Sequence, residues 1–267
     1  MPNRIDQIFQ RLRGEKKAAF VAYICAGDPS LEASLDLAAA LEEAGVDLLE
    51  LGIPFSDPLA DGVVNQMAAQ RALQSGTTTA RVLNLVREIR KRSELPLVLF
   101  TYLNPVYAFG FGQFHADAFQ AGADGILLLD LPPDEALHSG DLNASGGLKQ
   151  IRLIAPTTPT ERMKQIAAQS EGFIYYVSRE GVTGAQQTLA SNIAQQVAII
   201  KSASEVPVCV GFGISTPEQA ASVARVADGV VVGSAIVKKI EEHRCEPDLA
   251  LRVGGFVKRL VSATKSV

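Results

Sequence analysis

With 267 residues, 47% of them hydrophobic, the chain is long enough to bury a full core, as one large α/β domain or as two small ones. A net charge of −4 and the lack of a long basic run exclude a protein that wraps a polyanion, so nucleic acid is not an expected partner. The three cysteines, Cys25, Cys209 and Cys245, are far apart and have no paired spacing; a disulfide scaffold and a zinc site are both disfavoured, Cys25 and Cys209 read as small core residues, and a reducing cytoplasm fits.

Met1 to Lys17 carries Ile5, Ile8, Phe9 and Leu12 at helical spacing among polar residues. It has no h-region, which predicts an amphipathic cap helix and not a signal peptide. No apolar run reaches membrane-spanning length. Eight short runs rich in Val, Ile and Leu then punctuate the chain: Ala19 to Ala26, Val46 to Leu51, Leu97 to Tyr102, Gly125 to Leu131, Ile151 to Ala155, Phe173 to Val177, Val206 to Val210 and Gly229 to Val232. Continuous apolar runs of this length suit parallel strands covered on both faces. Helical stretches lie between them. Leu31 to Ala44 closes on Gly45, Val63 to Ser75 on Gly76, and Phe114 to Ala121 on Gly122; Thr79 to Lys91 starts afresh, and Pro133, Pro159 and Pro217 stand near helix starts. Eight β-then-α units with short connections predict one (β/α)8 barrel domain over residues 1–267, with an extra N-terminal helix. A doubly wound open sheet is the alternative, but Ala26-Gly27-Asp28-Pro29 lacks the glycine-rich turn that such a sheet wants after its first strand.

Glu50 falls inside the second apolar run. A carboxylate there costs several kcal/mol unless it is paired or protonated; the bland alternative is a strand-end residue that reaches solvent. Three segments share a helix-end, aspartate, strand pattern, with Asp47, Asp124 and Asp228 as the common residue. Aligning them puts Glu50 level with Leu127 and Val231, so by period-two alternation Glu50 points into the same interior as those apolar side chains. Asp57 and Asp61 follow within eleven residues, a grouping that suits acid–base chemistry at the mouth of a strand.

In such a barrel the active site lies at the carboxyl ends of the strands, and phosphate often binds after strands seven and eight. Gly211-Phe212-Gly213-Ile214-Ser215 and Gly233-Ser234-Ala235 occupy those places. Glycine lets backbone N–H groups approach an anion, and Ser234 adds a hydroxyl at a helix start. Ser178 to Ala185, with two glycines in a polar stretch, reads either as a lid or as a surface turn. His115, His138 and His243 lie away from strand ends and read as solvated or capping residues. The acid–base work falls to carboxylates.

The stretch Leu49-Glu50-Leu51-Gly52-Ile53-Pro54-Phe55-Ser56-Asp57-Pro58-Leu59-Ala60-Asp61-Gly62 resembles the signature of the tryptophan synthase alpha chain family. The likeness extends through Ala26-Gly27-Asp28-Pro29, Tyr102-Leu103-Asn104-Pro105, Ala155-Pro156-Thr157-Thr158-Pro159, Gly181-Val182-Thr183-Gly184 and Gly211-Phe212-Gly213-Ile214 to Val232-Gly233-Ser234. The resemblance implies a lyase that cleaves indole-3-glycerol phosphate to indole and glyceraldehyde 3-phosphate. It further implies a partner beta chain, in an alpha2beta2 complex, that uses pyridoxal phosphate; this chain itself would need no cofactor and no metal. By matching position, Glu50 would be the general acid–base, Asp61 would accept the indole N–H, and Tyr175 would help position the substrate. Tyr23, Phe100, Tyr102, Leu127, Leu129, Phe212 and Val231 would form the indole pocket. Gly184, Gly213, Gly233 and Ser234 would hold phosphate, Thr183 would close the lid against Asp61, and Asp57, Pro58, Asn104 and Pro105 would meet the partner. Val63 departs from the pattern, standing where the family usually has proline.

Three other readings stay open on the residues themselves: a different phosphate-binding barrel isomerase or epimerase, a stand-alone indole-releasing lyase, and a non-catalytic barrel that serves as an allosteric partner. The first would want a metal set or a strand-end lysine, which the predicted strand ends do not offer. Intact Glu50 and Asp61 argue against the last.

Overall fold

The eight apolar runs form eight parallel strands whose order around the molecule equals their order in the chain, and the last strand pairs with the first to close the barrel. A computed structural model describes residues 3–132, 147–178, 186–211 and 213–267, with side chains omitted for 186–192. The strands are β1 (Ala19–Cys25), β2 (Leu48–Gly52), β3 (Leu97–Thr101), β4 (Gly125–Leu128), β5 (Lys149–Ile154), β6 (Ile174–Val177), β7 (Val208–Gly211) and β8 (Gly229–Val232). The described helices are α1 (Arg4–Glu15), α2 (Leu31–Glu43), α3 (Val63–Gln74), α4 (Thr79–Arg90), α5 (Leu103–Phe109), α6 (Phe111–Ala121), α7 (Thr160–Ala168), α8 (Gln186–Lys201), α9 (Pro217–Ala224), α10 (Ser234–His243) and α11 (Leu249–Lys265). None is long and apolar enough to cross a membrane among the described residues.

Start signals explain several boundaries. Pro159 is the N-cap of α7, and Pro217 opens α9 behind a Thr216–Gln219 capping box. Asn104 and Pro105 lie in the first turn of α5; proline is tolerated there because its missing N–H would have had no helical partner. The sixth helix begins at Phe111, three residues earlier than the sequence suggests. That places His115 on its buried face at 1% exposure, with its ring 4.3 Å from that of Phe111 and its Nδ1 2.9 Å from the Phe111 carbonyl oxygen. His115 is therefore a core residue, neither solvated nor capping, and burial pushes its pKa down. His243 pairs with Glu246 at 3.1 Å. His138 and Pro133 lie outside the described residues.

Two apolar shells build the barrel. The outer one packs alternate strand residues against the surrounding helices. In the inner one, α1 inserts Ile5, Phe9 and Leu12 beneath Ala19, Val21, Leu48, Val98, Leu127, Ile151, Phe173, Cys209 and Val231. The N-terminal helix thus plugs the barrel floor, and the interior opens toward the carboxyl ends of the strands.

The aspartates of the three repeats share one structural task. Their carboxylates accept hydrogen bonds from backbone N–H groups on the preceding strand or its entry: Asp47 from Phe20 at 2.7 Å, Asp124 from Leu97 at 2.9 Å and Asp228 from Val208 at 2.8 Å. Glu171 does the same for Gln150 at 3.1 Å. The clamps therefore fall at alternate interfaces, β1/β2, β3/β4, β5/β6 and β7/β8, which justifies treating the repeats as equivalent units. Asp124 is buried and also holds Arg90 at 3.0 Å and Arg4 at 3.1 Å, whereas the Asp228 side chain is 33% exposed and pairs only with Lys201 among the described residues. Removing a carboxylate from a buried pair leaves its partners unsatisfied, so Asp124→Ala is expected to lower unfolding free energy by about 3 kcal/mol. Asp228→Ala should cost about 1 kcal/mol. Urea denaturation of the two variants checks the order.

Candidate active site

β2 delivers Glu50 into the barrel one step above Leu48, in register with Tyr23 of β1 and Val98 of β3. The carboxyl group is 1% exposed, and neither of its oxygens has a hydrogen-bond partner among the described residues. Burial alone pushes its pKa up to about 8. At neutral pH Glu50 is accordingly a protonated acid held in an apolar wall, able to give up a proton and later take one back.

Above the floor lies a cavity of about 330 Å³ lined by Tyr23, Glu50, Gly62, Val63, Val64, Asn65, Phe100, Tyr175, Gly213, Gly233 and Ser234. Tyr23 and Phe100 meet edge to face with centroids 5.0 Å apart, which forms an apolar wall suited to an aromatic ring. Gly52 carries no side chain because a Cβ there would strike the Tyr23 hydroxyl. Tyr175 stands on β6; burial and then the charge of Glu50 push its pKa up, with Cys209 and Asp61 adding to the shift. Tyr23 likewise feels both carboxyl groups, with burial again the main cause. Both tyrosines therefore stay neutral and lie within electrostatic reach of Glu50 and Asp61.

Asp61 ends the loop after β2. The Tyr102 hydroxyl donates to its Oδ2 at 2.8 Å and accepts from the Ala60 N–H at 3.0 Å. Asn65 Nδ2 donates to Asp61 Oδ1 at 3.3 Å. Burial pushes the Asp61 pKa up while these two hydrogen bonds pull it down, so its environment is more enclosed than that of an open polar loop. Val63 occupies the first position of α3 and is 73% exposed; the helix begins there without the proline.

At the opposite rim Gly213 has φ +74°, the left-handed region that glycine adopts without strain. Gly233 caps α10, and no side chain bonds that helix start. The N–H groups of Ser234 and Ala235 are the orphan donors of the first turn and point along the positive end of the helix dipole. No Lys or Arg lines the cavity among the described residues.

The cavity thus brings together Glu50, Tyr175, Tyr23, Phe100, Gly213, Gly233 and Ser234, with Asp61 beside it. Leu127 and Val231 instead belong to the sealed layer over α1, with Leu129 half-buried against that layer. Tyr102 lines a neighbouring cavity of about 380 Å³, shared with Phe55, Asp57, Leu59, Ala60, Asn104 and Asp130. Phe212, Thr183, Gly184 and the rest of the segment 179–185 lie outside the described residues. Val64 and Asn65 are lining residues that sequence reasoning missed; Asn65 sits four residues after Asp61 at a helix start, a spacing that could have found it.

A barrel that buries an isolated protonated carboxyl beside a second carboxylate, with an aromatic wall and a helix-start anion site opposite, defines a phosphate-binding (β/α)8 enzyme of acid–base type. Comparison with known proteins narrows this class. The family model described as tryptophan synthase alpha chain matches residues 9–258. A tryptophan synthase alpha chain of Opitutus terrae is 51% identical over 98% of this chain and 99% of its own length, and one of Geobacter sulfurreducens is 47% identical over 98% of each. The crystal structure of tryptophan synthase subunit alpha from Legionella pneumophila matches with a TM-score of 0.90 and 41% identity, covering 99% of both chains. A chain in a crystal structure of tryptophan synthase from M. tuberculosis matches at a TM-score of 0.86 and 32% identity, covering 98% of this chain and 100% of that one.

The chain belongs to the tryptophan synthase alpha chain family. It is a carbon–carbon lyase of tryptophan biosynthesis, catalysing the alpha reaction in which indole-3-glycerol phosphate is cleaved to indole and glyceraldehyde 3-phosphate.

Proposed function

We propose that Glu50 and Asp61 divide the alpha reaction between them, and the observation that carries this reading is the buried, unpartnered and protonated Glu50 carboxyl at the base of the cavity. Glu50 gives its proton to indole C3, which leaves positive charge on the ring nitrogen. Asp61 accepts the ring N–H and stabilises that charge. The Glu50 carboxylate then removes the proton from the hydroxyl next to C3. The carbon–carbon bond breaks, its electron pair returns to the ring to give neutral indole, and the hydroxyl carbon becomes the aldehyde of glyceraldehyde 3-phosphate. One group serves as acid and then as base, which a pKa near working pH favours. Tyr23 and Phe100 flank the ring, and Tyr175 helps to orient the substrate.

The phosphate is held by the α10 start and by the Gly213 and Gly233 turns, with Gly184 adding to the cradle and Thr183 closing over Asp61. Phe212, Leu129 and Tyr102 complete the indole surroundings, with Leu127 and Val231 as the floor. The chain works in the cytoplasm as a single barrel domain and binds no cofactor of its own. Its partner is a beta chain carrying pyridoxal phosphate, in an alpha2beta2 complex, and it meets that chain through Asp57, Pro58, Asn104 and Pro105.

Mixing the pure protein with indole-3-glycerol phosphate and following indole release tests the assignment; no indole, with or without a beta chain, would overturn it. A backbone-built phosphate site has its own signature. Ser234→Ala is expected to weaken glycerol-phosphate binding by the roughly 1–2 kcal/mol of one hydrogen bond to a charged group. Gly213→Val should be far more damaging. A Cβ at Gly213 meets nothing within 4 Å among the described residues, so the harm comes from forcing φ +74° on a β-branched residue and from filling the space through which the phosphate approaches the backbone. Calorimetric titration with glycerol phosphate compares the two variants, and equal effects would contradict the site.

A further inference from the structure

Asn65 occupies the third position of α3 and reaches back toward the loop that precedes the helix. Its Nδ2 donates to Asp61 Oδ1 at 3.3 Å, while its Oδ1 is buried without any hydrogen-bond partner among the described residues. With the NH2 group engaged by Asp61, the carbonyl oxygen is the end of the amide that is left without a partner, and it can only accept. Asn65 lines the same cavity as Glu50, Gly213, Gly233 and Ser234. A buried acceptor with no donor is costly, and a substrate that supplies the donor recovers that cost on binding.

We propose that Asn65 is a substrate-contacting specificity residue whose Oδ1 accepts a hydrogen bond from a hydroxyl of the substrate's glycerol chain while its Nδ2 secures Asp61. The proposal rests on the functional reading above. In that reading Asp61 takes the ring N–H and the glycine turns take the phosphate, so the donors left between ring and phosphate are the chain hydroxyls. Asn65 would then distinguish a hydroxylated chain from an apolar one of the same length.

Indole release by the wild-type chain is measured first; its absence overturns the functional reading and this proposal together. Binding is then measured by calorimetry in the Glu50→Gln background, where the substrate persists. Two ligands are compared: indole-3-glycerol phosphate, and an indole with a phosphorylated propyl chain at C3, which keeps the ring N–H and phosphate but has no chain hydroxyl. Asn65→Leu is expected to weaken both ligands through the lost Asp61 contact, and to weaken the hydroxylated ligand about five- to tenfold more than the propyl ligand, as for one neutral hydrogen bond. Asn65→Ala should repeat the pattern, and thermal unfolding confirms that both variants fold. Equal weakening of the two ligands would show that Asn65 acts only through Asp61 or through the fold, and no weakening of either would show that its carbonyl meets no substrate; each result overturns the proposal. Turnover by the Glu50→Gln protein would count against the role given to Glu50; the ligand comparison is then read from KM for indole-3-glycerol phosphate and from the inhibition constant of the propyl ligand.

Discussion

Glu50→Gln is expected to abolish indole formation, by about 10³-fold or more, while making the protein more stable at neutral pH. The amide keeps the shape of the acid but cannot pass a proton. The gain in stability follows from burial. In the unfolded chain Glu50 titrates at its ordinary value of 4.5, and in the folded chain at about 8. Below pH 4.5 both states hold the proton and the residue costs nothing through ionisation. Between 4.5 and 8 the unfolded chain releases the proton and the folded chain does not, so stability falls as pH rises; above 8 both are ionised and the loss is complete. Glutamine does not titrate. The variant should therefore match wild type near pH 4.5 and exceed it by about 2–4 kcal/mol at pH 8, as read from urea midpoints. A variant that retained turnover within tenfold would remove Glu50 from the chemistry, and one whose advantage over wild type is no greater at pH 8 than at pH 4.5 would show that Glu50 is not held protonated.

The sequence revealed the inward direction of Glu50 because Asp47, Asp124 and Asp228 perform one task at equivalent strand junctions, so the register of each following strand could be carried from one repeat to the next. Glu171 performs that task for Gln150 but is one methylene longer and lies in a different local pattern, which hid the fourth unit. Period-two alternation told which side of a strand faced the interior but not how deep. For that reason it did not show that Leu127 and Val231 lie in the layer packed against α1. Depth is set by the plug formed by Ile5, Phe9 and Leu12, a contact between the chain's first helix and strands as far away as β8. His115 was misjudged for a local reason: its place depends on where α6 begins, and that helix starts directly after Gly110, whose φ is +100°, without a polar cap to mark the boundary.

Addition of a beta chain should raise indole release by this chain about ten- to a hundredfold, within the usual range of coupling between two sites. The physical ground lies in the loop between β2 and α3. Leu59 is 91% exposed, an apolar side chain that a partner surface would cover. The loop is held internally by Leu59 N–H to the Asp57 carbonyl at 2.9 Å and Asp61 N–H to the Pro58 carbonyl at 3.0 Å. Beyond it, Tyr102 connects both sides: it lines the outer cavity with Asp57, Leu59 and Asn104, and its hydroxyl holds the Ala60 N–H and the Asp61 carboxylate. Pressure on Leu59 or Asp57 thus reaches Asp61 through one rigid aromatic side chain. A partner that orders this loop would fix the carboxylate facing the indole nitrogen, and indole, small and apolar, would pass directly to the next active site instead of escaping. Pro58→Gly, which loosens the turn, and Asn104→Ala, which alters the far wall of the outer cavity, should reduce activation by the beta chain more than they reduce basal turnover. Steady-state indole release with and without a beta chain, for wild type and both variants, measures this. Full activity of the isolated chain, unchanged by any beta chain, would break the coupling and make a stand-alone indole-releasing lyase the better account, with Leu59 then exposed for some other contact.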